Sequence, residues 1–115
     1  MSDLEELTKL VIKFRDDRDW KQFHDPKNAS THLLLEATEV LELFAWMNDE
    51  DAVKYLSKNN KELADELSDV LSWILILAHD NNIDLRSAFI DKLKRNTAKY
   101  PIEKSKGKRK KYTDL

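Results

Sequence analysis

Leu33-Leu34-Leu35-Glu36-Ala37-Thr38-Glu39-Val40-Leu41 and, thirty residues on, Leu63-Ala64-Asp65-Glu66-Leu67-Ser68-Asp69-Val70-Leu71 decide the reading of this chain. Both segments run apolar, acid, two small or apolar residues, acid, Val, Leu. At about 100° per residue, an acid and its partner three positions on lie roughly 60° apart on one helix face. Leu33 and Val40 flank Glu36, Leu35 and Leu43 flank Glu39, and Leu63 and Val70 flank Glu66. Trp73 stands one turn beyond Asp69. Neither acid pair has a Lys or Arg three or four positions away to neutralise it. With one short helix between them, the two long helices pack antiparallel in this reading, and their acids face each other at the edge of an apolar interface.

Outward from these segments the apolar spacing stays helical. Leu4, Leu7, Val11 and Phe14 step by three or four, so a first helix is expected from about Asp3 to Asp17, capped by Ser2 or Asp3. Residues 18–28 form a connection holding Trp20, Phe23, His24 and Pro26. A second helix is expected from a cap at Asn28 or Ser30 to about Met47, and a short third from Asn48 to Lys58-Asn59-Asn60. The fourth runs from about Lys61 to His79, and the fifth from Leu85, capped by Asp84, to about Lys99 before Pro101. The expected fold is an all-α bundle of four to five helices.

Composition narrows the function. A single Gly argues against an all-β fold and against any Gly-rich phosphate loop, and the absence of Cys removes thiolate metal sites and disulfides. No apolar run approaches the roughly 20 residues of a membrane span, and the acidic N-terminus lacks the cationic start of a signal peptide, so a cytoplasmic protein is expected. Residues 103–115 hold six basic and two acidic side chains, leaving 14 basic and 20 acidic in residues 1–102. The expected organisation is a helical catalytic domain over 1–102 and a basic, flexible tail over 103–115. An acidic body disfavours a nucleic-acid reader, which places its positive charge on the folded face.

Four carboxylates in one space repel, and burial makes each charge costlier. Protonation relieves this, as does a divalent cation. Oxygen-only ligands favour a hard ion, Mg²⁺ or Mn²⁺, over Zn²⁺, and Mg²⁺ commonly shares its shell with substrate phosphates. A di-iron carboxylate bundle is disfavoured, since it needs Glu-x-x-His pairs and the chain has none. The inference is an acidic helical pocket that receives a polyphosphate through Mg²⁺.

Glu36-x-x-Glu39 followed by Glu66-x-x-Asp69 in an all-helical chain of this size resembles the MazG-like nucleotide pyrophosphohydrolases of the all-α NTP pyrophosphatase superfamily, nearest the dCTP pyrophosphatase branch. Arg18-Asp19-Trp20-x-Gln22-Phe23-His24-x-Pro26-x-Asn28 is similar to that branch's loop before the second helix. Leu41-x-Leu43-Phe44-x-Trp46 is similar to the end of the second helix, and Lys92-x-x-x-Asn96-x-x-x-Tyr100-Pro101 to the last. The resemblance implies Mg²⁺-dependent hydrolysis of a (deoxy)nucleoside triphosphate, foremost dCTP or a related dNTP, to the monophosphate and pyrophosphate. It implies Glu36, Glu39, Glu66 and Asp69 as metal ligands and catalytic carboxylates. It implies Lys92, Asn96 and Tyr100 at the phosphates, and Trp20 and Trp46 around the base with Trp73 nearby. His24 is a candidate for the base edge.

Ala37 follows Glu36, as in that branch, where many MazG-like chains carry a second acid; the chain departs from the branch at two positions, Val11 in place of His and Trp73 in place of Tyr. These differences bear on base preference. The resemblance also implies a homodimer or a dimer-of-dimers tetramer, with a pocket shared between chains and the aromatic loop donated by a neighbour. Two other readings compete: a non-catalytic, antitoxin-like helical module using the basic tail on nucleic acid, and a phosphoribosyl-ATP pyrophosphohydrolase. The aromatic loop argues against the second, because stacking serves free nucleotides well.

Overall fold

A computed structural model describes residues 2–115. Among the described residues the chain forms helices and turns only, with no strand. It divides into two compact units, the first ending at Asn82 and the second running Ile83–Leu115.

Among the described residues the first unit contains four α-helices and a short 3-10 turn at Lys21–Phe23. Helix α1, Asp3–Asp16, starts where Ser2 Oγ accepts from the Glu5 amide at 3.2 Å, and three acids in its first turn face the positive end of the helix dipole. Helix α2 is Pro26–Glu42 and both starts and ends earlier than expected. Its cap is Asp25, whose carboxylate accepts from the Asn28 amide at 2.8 Å and from Asn28 Nδ2 at 2.9 Å. Pro26 takes the first helical position, where its missing N–H costs nothing. The cap thus lies before Pro26 and not at the expected Asn28 or Ser30, because proline suits the first turn of a helix as well as a loop. The far end stops at Glu42 instead of Met47, since the Phe44 and Met47 amides bond three residues back, to Leu41 and Phe44, and tighten the chain into turns.

Helix α3, Asp49–Lys58, is capped by Asn48, as expected. Helix α4, Lys61–Asp80, ends where the Asn81 amide and side chain both bond the Leu77 carbonyl and Asn82 takes a left-handed φ of 55°. The main packing is α2 on α4, with α1 also lying on α4. His32 stacks on Trp73 while Glu39 meets Glu66. Numbers rising along α2 therefore pair with numbers falling along α4, so the two helices are antiparallel. Ala29, Leu75, Ile76 and Ala78 form the buried apolar centre, toward the start of α2 and the end of α4.

The second unit contains α5, Leu85–Lys99, capped by Asp84, whose carboxylate accepts from the Ser87 amide at 3.2 Å and the Ser87 hydroxyl at 3.0 Å. A single turn of helix, α6, spans Ile102–Ser105. The basic segment beyond it includes a 3-10 turn at Tyr112–Asp114. The Tyr112 ring meets Tyr100 edge-on, centroids 5.9 Å apart, and Lys99 Nζ lies 4.8 Å from the Tyr112 ring centre.

Candidate active site

The α2–α4 interface brings the two acid pairs together one helical turn from its stacked rings. One oxygen each from Glu36, Glu39 and Glu66 lies within 4.8 Å of the other two. Asp69, the fourth acid expected there, stands outside this trio, yet its charge acts on both Glu36 and Glu66. Glu36 Oε2 and Glu66 Oε2 are buried without a hydrogen-bond donor. Two carboxylates can share a hydrogen bond only when one of them keeps a proton. Burial, then Glu39, raises the Glu36 carboxyl above its ordinary range. Contact with Glu39, then desolvation and the neighbouring negative charges, pushes Glu66 up to about 7. This is the electrostatics of a site short of positive charge. Buried oxygens without donors, supplied only by carboxylates, are the donor set of a hard divalent cation.

Beside the acids lies a cavity of about 590 Å³ within the first unit. Asp69 and Trp73 of α4 form one wall, Val11 and Phe14 of α1 another, and Trp20 and His24 of the connecting loop a third. Its volume suits a small organic ligand. The loop is shaped locally. Asp19 adopts a φ of 55°, and the amides of Arg18 and Trp20 both donate to the Arg15 carbonyl, each at 3.2 Å. Trp20 meets Phe14 edge-on at 5.7 Å, and the Arg18 guanidinium sits 3.8 Å above the Phe14 ring. His24 meets Trp73 edge-on at 4.8 Å. Its Nδ1 is buried without a partner. Desolvation, then the positive charge of Arg15, holds His24 below the usual histidine range, so it is neutral at pH 7.

Asp69 thus belongs to both features: it borders the cavity and it is felt by the acid cluster. Of the expected base-binding residues, Trp20, His24 and Trp73 meet around one cavity in a single chain, although the aromatic loop was expected to come from a neighbour. Trp46 does not join them. It follows the early end of α2 and is 98% exposed. Lys92 and Asn96 stand one turn apart on α5 of the second unit, and the Tyr100 amide bonds the Asn96 carbonyl at 2.9 Å.

One residue of this region escaped the sequence reading. Arg15 is 2% exposed, the largest fully buried side chain among those described. Its Nη1 donates to Asp80 Oδ2 at 2.7 Å and its Nε to Asp16 Oδ1 at 3.0 Å. The available signal was its place four residues after Val11, on the apolar side of the first helix.

The MazG-like family model matches residues 33–115. The chain belongs to the MazG-like family. It is 40% identical over 114 residues to rat dCTP pyrophosphatase 1, covering 97% of this chain and 67% of that protein. The human dCTP pyrophosphatase 1 is 35% identical over the same length. A solved pyrophosphatase from Archaeoglobus fulgidus superposes with a TM-score of 0.82 at 32% identity, over 88% of this chain and 94% of that one. This MazG-like chain is therefore a nucleotide pyrophosphatase, a hydrolase of phosphoanhydride bonds, with the all-α fold of its family. The non-catalytic, antitoxin-like reading is set aside. Among the described residues no helix is long and apolar enough to cross a membrane.

Proposed function

We propose that this MazG-like enzyme converts a deoxynucleoside triphosphate, dCTP or a close relative, to its monophosphate and pyrophosphate with Mg²⁺. The observation that carries the reading is the double role of Asp69, which joins an aromatic cavity sized for a base to a carboxylate cluster suited to a phosphate-bound cation. The likeness to dCTP pyrophosphatases supports the choice of substrate.

Glu36, Glu39 and Glu66 would hold the ion, with Asp69 as the fourth carboxylate. Mg²⁺, when bound, neutralises charge on the non-bridging phosphate oxygens and makes water more acidic; Mn²⁺ has the same chemistry. The rest falls to the side chains. Trp20 and Trp73 offer flat surfaces for the base, and neutral His24 offers one donor and one acceptor to its edge. The α1 wall gives the base side an apolar lining. A water oxygen adds to phosphorus at the α–β anhydride, the bridging P–O bond breaks, and a carboxylate of the cluster takes the water proton. Lys92, Asn96 and Tyr100 would bind phosphate oxygens, the first as a cation and the others as neutral donors. Trp46 is free to serve a neighbouring subunit. Residues 1–102 would be the catalytic portion.

Leu34, Leu35 and Leu41 on α2 and Leu67 on α4 are each more than half exposed. Apolar residues at that density on the site-bearing helices support a homodimer or a dimer-of-dimers tetramer.

The test is pyrophosphate release from a panel of dCTP, dUTP, dATP and modified pyrimidine triphosphates, with and without Mg²⁺. Turnover of dCTP that stops on chelation and in Glu36→Gln is the expected result. Undiminished activity in both Glu36→Gln and Asp69→Asn would refute the site.

A further inference from the structure

The pocket's aromatic wall is carried by a loop, and loops hold a binding geometry only when something rigid pins them. We infer that the buried Arg15–Asp80 ion pair is the positioning element of the nucleotide pocket: it clamps the turn at the end of α1 against the end of α4, so that Trp20 and His24 stand as a wall facing Trp73. The inference rests on the reading of that cavity as the base site.

Several observations converge on Arg15. Its side chain crosses from α1 to α4, donating 2.7 Å to Asp80, the last residue of α4. Its Nε donates to Asp16, the last residue of α1, so the planar guanidinium is held from two directions. Its carbonyl is the acceptor on which the loop turns back, taking both the Arg18 and the Trp20 amides. The same residue borders the cavity and is close enough to His24 for its charge to favour the neutral imidazole. A buried charge is costly unless paired, so this pair has two discrete conditions, made or broken, and little between. With it made, Trp20 and His24 border the same cavity as Trp73. With Asp80 neutralised, Arg15 keeps only the half-exposed Asp16 as an ionic partner and draws toward water, taking with it the carbonyl that organises the loop. Asp80 is 19% exposed in its side chain and lines neither the cavity nor the acid cluster, so changing it reaches substrate through Arg15 and through its own charge on His24.

The test compares Asp80→Asn, Arg15→Lys and Trp20→Ala with the parent in three measurements. These are amide exchange over residues 18–24, the KM and kcat for dCTP, and the Tm shift on adding Mg²⁺. The expected result for Asp80→Asn is faster exchange at Trp20, KM raised about tenfold with kcat within roughly twofold, and an undiminished Mg²⁺ shift. Arg15→Lys keeps the charge and loses the planar fork, and should fall between Asp80→Asn and the parent. Unchanged exchange at residues 18–24 in Asp80→Asn overturns the clamp, whatever happens to KM. Loss of the Mg²⁺ shift together with kcat also overturns it, because the pair is then a general stabiliser of the first unit. Trp20→Ala judges the pocket separately: an unmoved KM there refutes the base site, while faster exchange in Asp80→Asn still upholds the clamp on the loop.

Discussion

The imidazole of His32 lies flat on the indole of Trp73, ring centroids 4.7 Å apart and planes 8° apart. The contact joins α2 to α4 one turn from the acid cluster, so it sets the spacing at which the carboxylates meet. His24 packs edge-on against the same indole, so Trp73 touches two imidazoles. An offset aromatic pair contributes about 1 kcal/mol beyond its burial. His32→Ala is therefore expected to lower stability to urea by about 1 kcal/mol. Trp73→Ala, which also opens the cavity wall, should cost about 3 kcal/mol and raise KM for the nucleotide. Equal urea midpoints for His32→Ala and the parent would show that the stack contributes nothing.

The acid cluster should separate activity from stability. Glu66→Gln removes one of the mutually repelling charges and leaves the side-chain shape. Without Mg²⁺ this variant should unfold at a higher temperature than the parent above pH 7, while its kcat falls by at least about a hundredfold. Scanning calorimetry in EDTA and a pyrophosphate assay read the two effects. A lower Tm for the variant under those conditions would contradict the repulsion described for Glu36, Glu39 and Glu66.

The same groups set a pH dependence. Glu66 titrates near 7 in the folded chain and near its ordinary 4.5 unfolded, and Glu36 is shifted in the same direction. Between these values the folded state binds more protons, so this contribution to stability is complete below about 4.5 and is lost as pH rises through 7. Mg²⁺ replaces the missing protons, so its Tm shift should be larger at pH 8 than at pH 5.5. His24 acts with the opposite sign. Its folded pKa lies below the ordinary 6.5, so its contribution is present above 6.5 and fades as pH falls. Flattening of the metal-free profile between pH 5 and 8 in Glu66→Gln would assign the first effect, and a Mg²⁺ shift independent of pH would exclude it.

Asp25 makes the entry to α2 abrupt by accepting from both the amide and the side chain of Asn28. Asp25→Ala should cost about 1 kcal/mol in urea unfolding, the usual worth of a side-chain cap. Because the cap lies beside His24, the variant should also raise KM more than it lowers kcat. An unchanged unfolding midpoint would place the start of α2 under the control of Pro26 alone.

The helices and the shared face of each acid pair were legible in the chain because both are local. Apolar spacing near 3.6 marks the helices, and two acids three residues apart share a face in any helix. Glu36, Glu39 and Glu66 meet as that pattern implies, since their flanking leucines and valines leave the α2–α4 interface one way to close. The start of α2 at Pro26 was missed because proline stops a helix from within but suits its first turn, and the pattern alone does not say which position it holds. Tertiary structure alone decided the rest. Arg15 reads as one more charged residue on a helix until Asp80, 65 positions away, comes within 2.7 Å of its guanidinium. Asp69 reads as the fourth member of a quartet until the packing of α1 and the aromatic loop against α4 makes it part of a cavity wall. Helical periodicity is determined by neighbours in sequence, whereas the neutralisation of a buried charge and the shape of a cavity depend on groups that only the folded chain brings together.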